Sequence, residues 1–389
     1  MFSVENLYHI LYDNVFNKFN IRALYFFPFG SVKINDLHNL GNVLNDGRNN
    51  IIYFQDQEPI TDESKISFQK FLFSYGNPGG RLKIFCSSEK SELVEKICKE
   101  NKFYHLYYFF HGIAALDWYR DAKYLSKIDD SIQSPYMSLN RLCTNLRSYR
   151  LYLVSELLEQ NLLELGIVSL QLNPKENLAK KEIFDSNSYL SIDAKKLILK
   201  HLVNKNKNFV ADQDNITGNH SSHFGKNELK FWQRSLFHIV SETVFYEEKL
   251  HLTEKIFKPI VVKRPFMLVG AYKNLEYLKS YGFKTFDKWI DESYDNEKDP
   301  DKRIQLVVKE IAKISKLNNK QLHDLKKDMQ STLDYNFNHF FGNFKEIVIG
   351  EFLDNLQSCF NQWNNGRLDD MIFKLNDTDK QEIKQLLLQ

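Results

Sequence analysis

Cysteine is scarce. The four thiols in 389 residues, Cys86, Cys98, Cys143 and Cys359, show neither CxxC nor Cys/His ligand spacing. That excludes a disulfide scaffold and argues against a structural zinc. No run reaches the ~20 apolar residues of a membrane helix. The opening MFSVENLYHILYDNVFNKFN has no basic segment leading into an apolar one, so an unprocessed, soluble, cytoplasmic protein is expected. The sequons at Asn215 and Asn219 then carry little weight. A charge excess is lacking too: 52 basic against 50 acidic residues leave a net charge of +2, and no global field marks a nucleic-acid binder.

Length and aromatics are abundant instead. The chain is about twice the size of one domain, so two domains with separate cores are expected. Its 31 Phe and 20 Tyr, with abundant Lys, Asn and Ile, read as the mark of AT-rich coding before they read as sugar-stacking platforms. Short apolar runs alternate with stretches of helical period, which points to α/β structure with parallel sheets. The expected strands are RALYFF (22–27), NIIYFQ (50–55), RLKIFC (81–86), YHLYYFF (104–110), YMSL (136–139), GIVSLQ (166–171), SLFHIVSE (235–242) and PFMLVG (265–270). Helices are expected over 62–76, 88–101 and 146–165, and almost continuously after residue 302. A polar stretch at 124–135 places the domain boundary near 132: residues 1–132 form the first domain, and 133–389, with the terminal helices, the second. The polar segment 212–227 reads as a surface loop or lid.

The chemistry concentrates in FHIVSETVFYEEKLHLTEK, 237–255. A strand ends in Glu242, a loop carries Glu247, Glu248 and Lys249, and Thr253 caps a helix opening with Glu254 and Lys255. A helix start with a lysine suits phosphate, and Glu254 suits ribose hydroxyls. Taken alone, Thr-Glu-Lys is also a common solvated helix start. Pro259 predicts a short or kinked helix.

This block resembles the F-x-I-x-x-E-N-S and Y-V-T-E-K segments of the alpha-1,3-fucosyltransferases of glycosyltransferase family ten. Phe237, Ile239, Glu242 and Thr253-Glu254-Lys255 match, whereas Thr243 and Val244 replace Asn-Ser and the spacer is about two residues longer. The resemblance therefore speaks for the fold more than for the sugar. Pro265-Phe266, Gly270, Leu278 and YGFKTFDKWIDESYD (281–295) extend it to viral and bacterial glycosyltransferase-like proteins, so the cytoplasm is a host's if the chain is viral. The block YMSLNRLCTNLRSYR (136–150) resembles the family's entry strand and helix, which makes Asn140 a donor-site residue and Arg147 a contact of the donor diphosphate. Arg147 near a helix start also suits phosphate on physical grounds, while Arg150 reads as an arginine on a solvated face.

The resemblance implies a GT-B architecture, two Rossmann-like doubly wound domains facing a cleft, with a helical C-terminal segment. It implies inverting transfer from a GDP- or UDP-sugar, possibly GDP-fucose, to a hydroxyl, the donor held by Asn140, Arg147, Glu242, Lys249, Thr253, Glu254 and Lys255. No metal or cofactor is expected; Asp212 in DQD matches a bare Asp-x-Asp in a poor context. The general base is sought in the first domain. Glu58, beside Asp56 before Pro59, is the first choice. His111 at a strand end is the second, with Asp117 of the same DWYR segment a further candidate that also reads as a local ion pair with Arg120. The acceptor is a glycan, a lipid-linked saccharide or a modified DNA base; DNA would need a basic face from Lys65, Lys70, Arg81, Lys83 and Lys90. A non-catalytic nucleotide- or carbohydrate-binding protein of the same fold is the alternative from another class, and a phosphorylase is disfavoured for want of a pyridoxal-phosphate lysine motif.

Overall fold

The structure is a computed structural model that describes residues 3–25, 50–55, 58–61, 65–66, 82–127, 131–170, 172, 178–203, 224, 226–365 and 373–388. The helix expected over 62–76, Asp56, Lys70, Arg81, Asp212 and most of 212–227 lie outside these residues. The chain forms two compact units, Met1–Asp117 with Asn343–Gln389, and Trp118–Gly342.

In the first unit, α1 (Val4–Leu11) leads to β1 (Ile21–Tyr25), β2 (Asn50–Gln55) and β3 (Lys83–Ser87), then α2 (Glu92–Asn101), β4 (Tyr104–Tyr107) and α3 (Phe110–Trp118). The strands are parallel and ordered β1-β2-β3-β4. β2 and β3 are buried along their whole length, which is why they read as unbroken apolar runs. Helices cover both faces. Ile51, Tyr53 and Phe85 pack with Val94, Ile97 and Cys98 of α2, while Phe54 meets Tyr8 of α1 edge on at 5.4 Å.

The strand expected over 104–110 stops at Tyr107, because the rest of that apolar run begins α3, whose residues 110–116 are all buried. A helix buried on every side has no polar stripe, so its sequence cannot be told from a buried strand.

The second unit holds β5 (Ser134–Asn140), α4 (Tyr149–Glu159), β6 (Ile167–Leu170), α5 (Leu178–Phe184), α6 (Ile192–Ile198), α7 (Lys226–Arg234), β7 (Ser235–Ser241), α8 (Phe257–Val261), β8 (Phe266–Val269), α9 (Asn274–Ser280), α10 (Pro300–Ile314) and α11 (Asn319–Phe341). Its strands are also parallel, ordered β6-β5-β7-β8. The single helix expected over 146–165 breaks where Asn161 takes φ +56, a left-handed conformation that ends right-handed helix.

The chain then returns to the first unit with α12 (Phe344–Asn364) and α13 (Asp377–Leu388). Its contacts therefore divide it at 117/118 rather than near 132, and the last helices belong with the first sheet. Asn355 Nδ2 donates to Tyr107 O at 2.9 Å, and Phe352 meets Tyr108 edge on at 5.6 Å. The apolar stripe Val348, Phe352, Leu356 and Phe360 reveals an amphipathic helix, but a stripe does not say which sheet it covers. No helix among the described residues is long and apolar enough to cross a membrane.

Candidate functional site

In the second sheet the chain steps from β5 outward to β6, then crosses to the other side of β5 to lay down β7. The crossovers diverge between β5 and β7, and open parallel sheets bind ligands at the carboxyl ends of the strands flanking such a point. Those ends are Asn140 and Ser241, the latter followed directly by Glu242.

Glu242 is completely buried. Its carboxylate accepts from Thr253 N at 3.2 Å, Thr253 Oγ1 at 2.6 Å and Thr243 N at 3.3 Å. A buried carboxylate needs such donors, and here they pull the distant Thr253 onto the strand end. Thr253 in turn caps the turn Glu254–Ile256 by accepting from Lys255 N at 3.5 Å. Lys255 Nζ reaches Thr253 Oγ1 at 3.1 Å and Glu254 Oε1 at 3.0 Å, and its side chain keeps 26 % exposure against 5 % for Glu254. The strand end, the cap and the lysine thus form one hydrogen-bonded unit.

The helix expected at Thr253 is a 3-10 turn of three residues followed by five residues of α8. Pro259 is the third residue of α8, where its missing N–H costs little. So short a stack carries little dipole, and the positive charge at this turn is that of the Lys255 side chain. Glu254 is buried and paired with Lys255, while its carbonyl accepts from Tyr119 OH at 3.5 Å.

Asn140 is buried, its Nδ2 donates to Ser138 Oγ at 3.0 Å, and its Oδ1 has no partner among the described residues. Arg147 closes the turn Asn145–Arg147 and is half-buried. Lys249 is buried, with Nζ 2.5 Å from Glu247 Oε2.

Arg150 does not lie on a solvated face. It is buried, and its guanidinium donates to Leu142 O at 2.7 Å, Ser241 O at 2.7 Å and Glu242 O at 3.0 Å. It tethers the segment after β5 to the end of β7. Tyr149 OH adds a bond to Glu242 O at 2.6 Å. Arg303 does the same from α10, donating to Phe245 O at 2.8 Å and Gly270 O at 3.0 Å. The sequence block around 136–150 flagged the neighbourhood of Tyr149 and Arg150 but not their roles. Nothing local distinguished Arg303.

The first-unit candidates are placed as follows. Glu58 follows β2, half-buried, and its carbonyl accepts from Gln55 Nε2 at 3.2 Å; its expected companion Asp56 is outside the described residues. His111 is buried in the first turn of α3. Asp117 accepts from Val4 N at 3.0 Å and so tethers the start of α1, while Arg120 lies 3.4 Å from Asp121. Of the lysines needed for a basic face, Lys65 pairs with Glu100 at 3.4 Å, Lys90 with Glu351 at 3.3 Å, and Lys83 donates to Asn101 O at 3.2 Å. Among the described residues no group of three or more His, Cys, Asp or Glu is placed to hold a metal ion.

The second half of the YGFKTFDKWIDESYD motif is a clip. Glu292 accepts from Thr285 Oγ1 and Phe286 N, both at 2.7 Å, and Asp295 accepts from Leu275 N at 2.8 Å and Glu276 N at 3.0 Å. Burial pushes both carboxyls above their ordinary pKa values against these donors. A cavity of about 440 Å³ lies beside them, lined by Glu276, Lys279, Asp287 and Asp291 among others.

Compared with known protein families, with curated proteins and with solved structures, the chain matches none.

Proposed function

We propose that the protein is a glycosyltransferase of GT-B type, whose second unit binds a nucleoside-diphosphate sugar and whose reaction moves the sugar, with inversion, to a hydroxyl acceptor. The observation that carries this reading is the Glu242–Thr253–Lys255 unit at the carboxyl end of β7, where the crossovers of the sheet diverge. Glu242 is spent on the protein's own backbone and hydroxyl, so its role is to hold the turn. Lys255, partly exposed and oriented by Thr253 and Glu254, is the cation for the diphosphate, with Arg147 as its partner. Asn140 Oδ1 is a buried acceptor for a ligand hydroxyl.

In this reading the lysine and arginine stabilise the charge that develops on the departing diphosphate. The experiment is a thermal-shift screen of the purified protein against GDP, UDP, CDP and their sugars, with and without EDTA. Stabilisation by one diphosphate, unchanged by EDTA, supports the reading and names the donor class through linkage. A flat response to all of them rejects donor binding.

A further inference from the structure

The motif at 281–295 and the Thr-Glu-Lys turn lie some thirty residues apart in sequence, yet one residue joins them. Asn274 is completely buried at the start of α9, and its Oδ1 accepts from His251 N at 3.2 Å. His251 begins the approach to Thr253, which Glu242 holds from the other side. On the motif side, Asp295 takes Leu275 N and Glu276 N with its carboxylate and Lys273 N with its carbonyl at 2.8 Å. Three amides flanking Asn274, those of Lys273, Leu275 and Glu276, are thereby fixed.

Two further observations single out Asn274. Lys273 sits at φ +62 and ψ +19, a left-handed conformation costly for a lysine; strain of this kind persists only where the surroundings over-determine it, and it gathers at functional sites. Gly270, at the end of β8, has no room for a side chain without disturbance: an added Cβ would lie 3.3 Å from Asn274 Nδ2 and 3.5 Å from Asn274 Cβ, with Glu242 Cβ at 3.7 Å. The amide thus packs closely on Gly270 at the end of β8, which itself lies beside Glu242, and it holds the loop leading to Thr253 through His251. Its Nδ2 has no partner among the described residues, so the side chain is not retained for a complete set of its own hydrogen bonds.

We propose that Asn274 is the positioning residue of the candidate donor site: seated by the Asp295 clip, its side-chain oxygen fixes the His251 backbone and hence where Lys255 is presented. Its importance for donor binding rests on the function proposed above, whereas its hold on the loop does not. The test is segment-resolved amide hydrogen exchange on the wild type, Asn274→Ala and Asn274→Asp, together with calorimetric titration of each by GDP and by UDP.

In Asn274→Ala, amides of 250–255 are expected to exchange roughly ten-fold faster, the size of one lost hydrogen bond, while β5 and β7 keep their protection. Diphosphate affinity falls by a similar factor. Asn274→Asp, which keeps an acceptor oxygen in place, restores protection of 250–255. Unchanged exchange at 250–255, or equal loosening of β5 and β7, overturns the proposal. If the alanine variant does not fold, Asn274→Ser, too short to reach the His251 amide, gives the same discrimination. A wild type that binds neither nucleotide, with loop exchange responding as described, removes the donor reading and leaves the positioning role standing.

Discussion

Both units bury a carboxylate at the carboxyl end of their third strand, and the two carboxylates do the same structural work. Beyond β3, Glu89 accepts from Ile60 N at 2.7 Å and Ser91 Oγ at 2.5 Å, and Ser91 caps α2. At the end of β7, Glu242 accepts from Thr253 N and Oγ1, and Thr253 caps the following turn. A buried acid that grips a helix-capping hydroxyl is therefore a way this chain closes its loops. The difference lies in what the cap presents. After Ser91 the first turn is acidic, with Glu92 and Glu95, and opens a regular helix of ten residues; after Thr253 the acidic Glu254 is paired with Lys255, on a turn too short to carry a useful dipole. The strand orders differ in parallel: the described strands of the first sheet run in chain order, and only the second sheet has a reversal. A buried glutamate alone is thus no mark of a site in this protein. The proposed site rests instead on a buried glutamate that delivers a cation to the point of reversal.

The sharpest break between the units concerns chemistry. If the first unit supplies the base through Glu58, Glu58→Gln lowers transfer by roughly 10²-fold or more while GDP or UDP affinity stays at the wild-type value. Steady-state kinetics and calorimetry on one preparation decide this, and surviving transfer moves the role to His111. Next in size, Glu89→Ala and Glu242→Ala each strand buried donors and are expected to cost about 2–4 kcal/mol in urea unfolding. Only Glu242→Ala should also lose nucleotide binding; equal losses in both variants would erase the functional distinction.

Lys255→Ala is expected to weaken diphosphate binding by about 1.5–3 kcal/mol with little change in Tm, whereas Glu92→Ala leaves binding untouched. A pH test bears on the second sheet, although the pKa of His105 in the first is lowered by burial too, to about 4. His238 in β7 is buried against Trp232, edge on at 4.5 Å, and burial, with Lys258 adding to it, pulls its pKa from 6.5 down to about 3. Between those values the unfolded chain binds the extra proton, so stability falls as pH drops, by about 2 kcal/mol between pH 7 and pH 5 from this group. His238→Phe flattens that part of the pH–stability curve; an unchanged slope would place the proton elsewhere. The smallest effect is kinetic. Cys86, Cys98, Cys143 and Cys359 are all buried, and burial raises the Cys98 and Cys359 thiols to about 12 and Cys143 to about 11. In the native protein all four are expected to resist iodoacetamide until urea unfolds it, as counted by mass spectrometry.

Much of this was legible along the chain. Strand β2 occupies the expected 50–55, and β7 and β8 fall within one residue of the runs that announced them, because a strand buried on both faces writes itself as an apolar run. Thr253 is the cap its residue type predicts, since an N-cap is a contact between near neighbours. Features that depend on distant partners were not legible. Arg150 reads as a surface residue until Ser241 O and Glu242 O appear beside it. Asp117 reads as half of a helix ion pair, yet it holds the amide of Val4, more than a hundred residues away. Nothing local in the DESYD acids shows that Asp295 sets the backbone around Asn274.

By itself the amino-acid sequence determined the α/β alternation, the strand positions and the cap that introduces Lys255, all of which are recorded in periodicity and near-neighbour chemistry. Only the tertiary structure decided that α12 and α13 return to the first unit, that β7 lies on the far side of β5 from β6, and that Glu242 meets Thr253 while Asn274 meets His251. Those outcomes depend on which buried polar groups and apolar stripes satisfy one another across long stretches of chain, and such pairings leave no periodic trace.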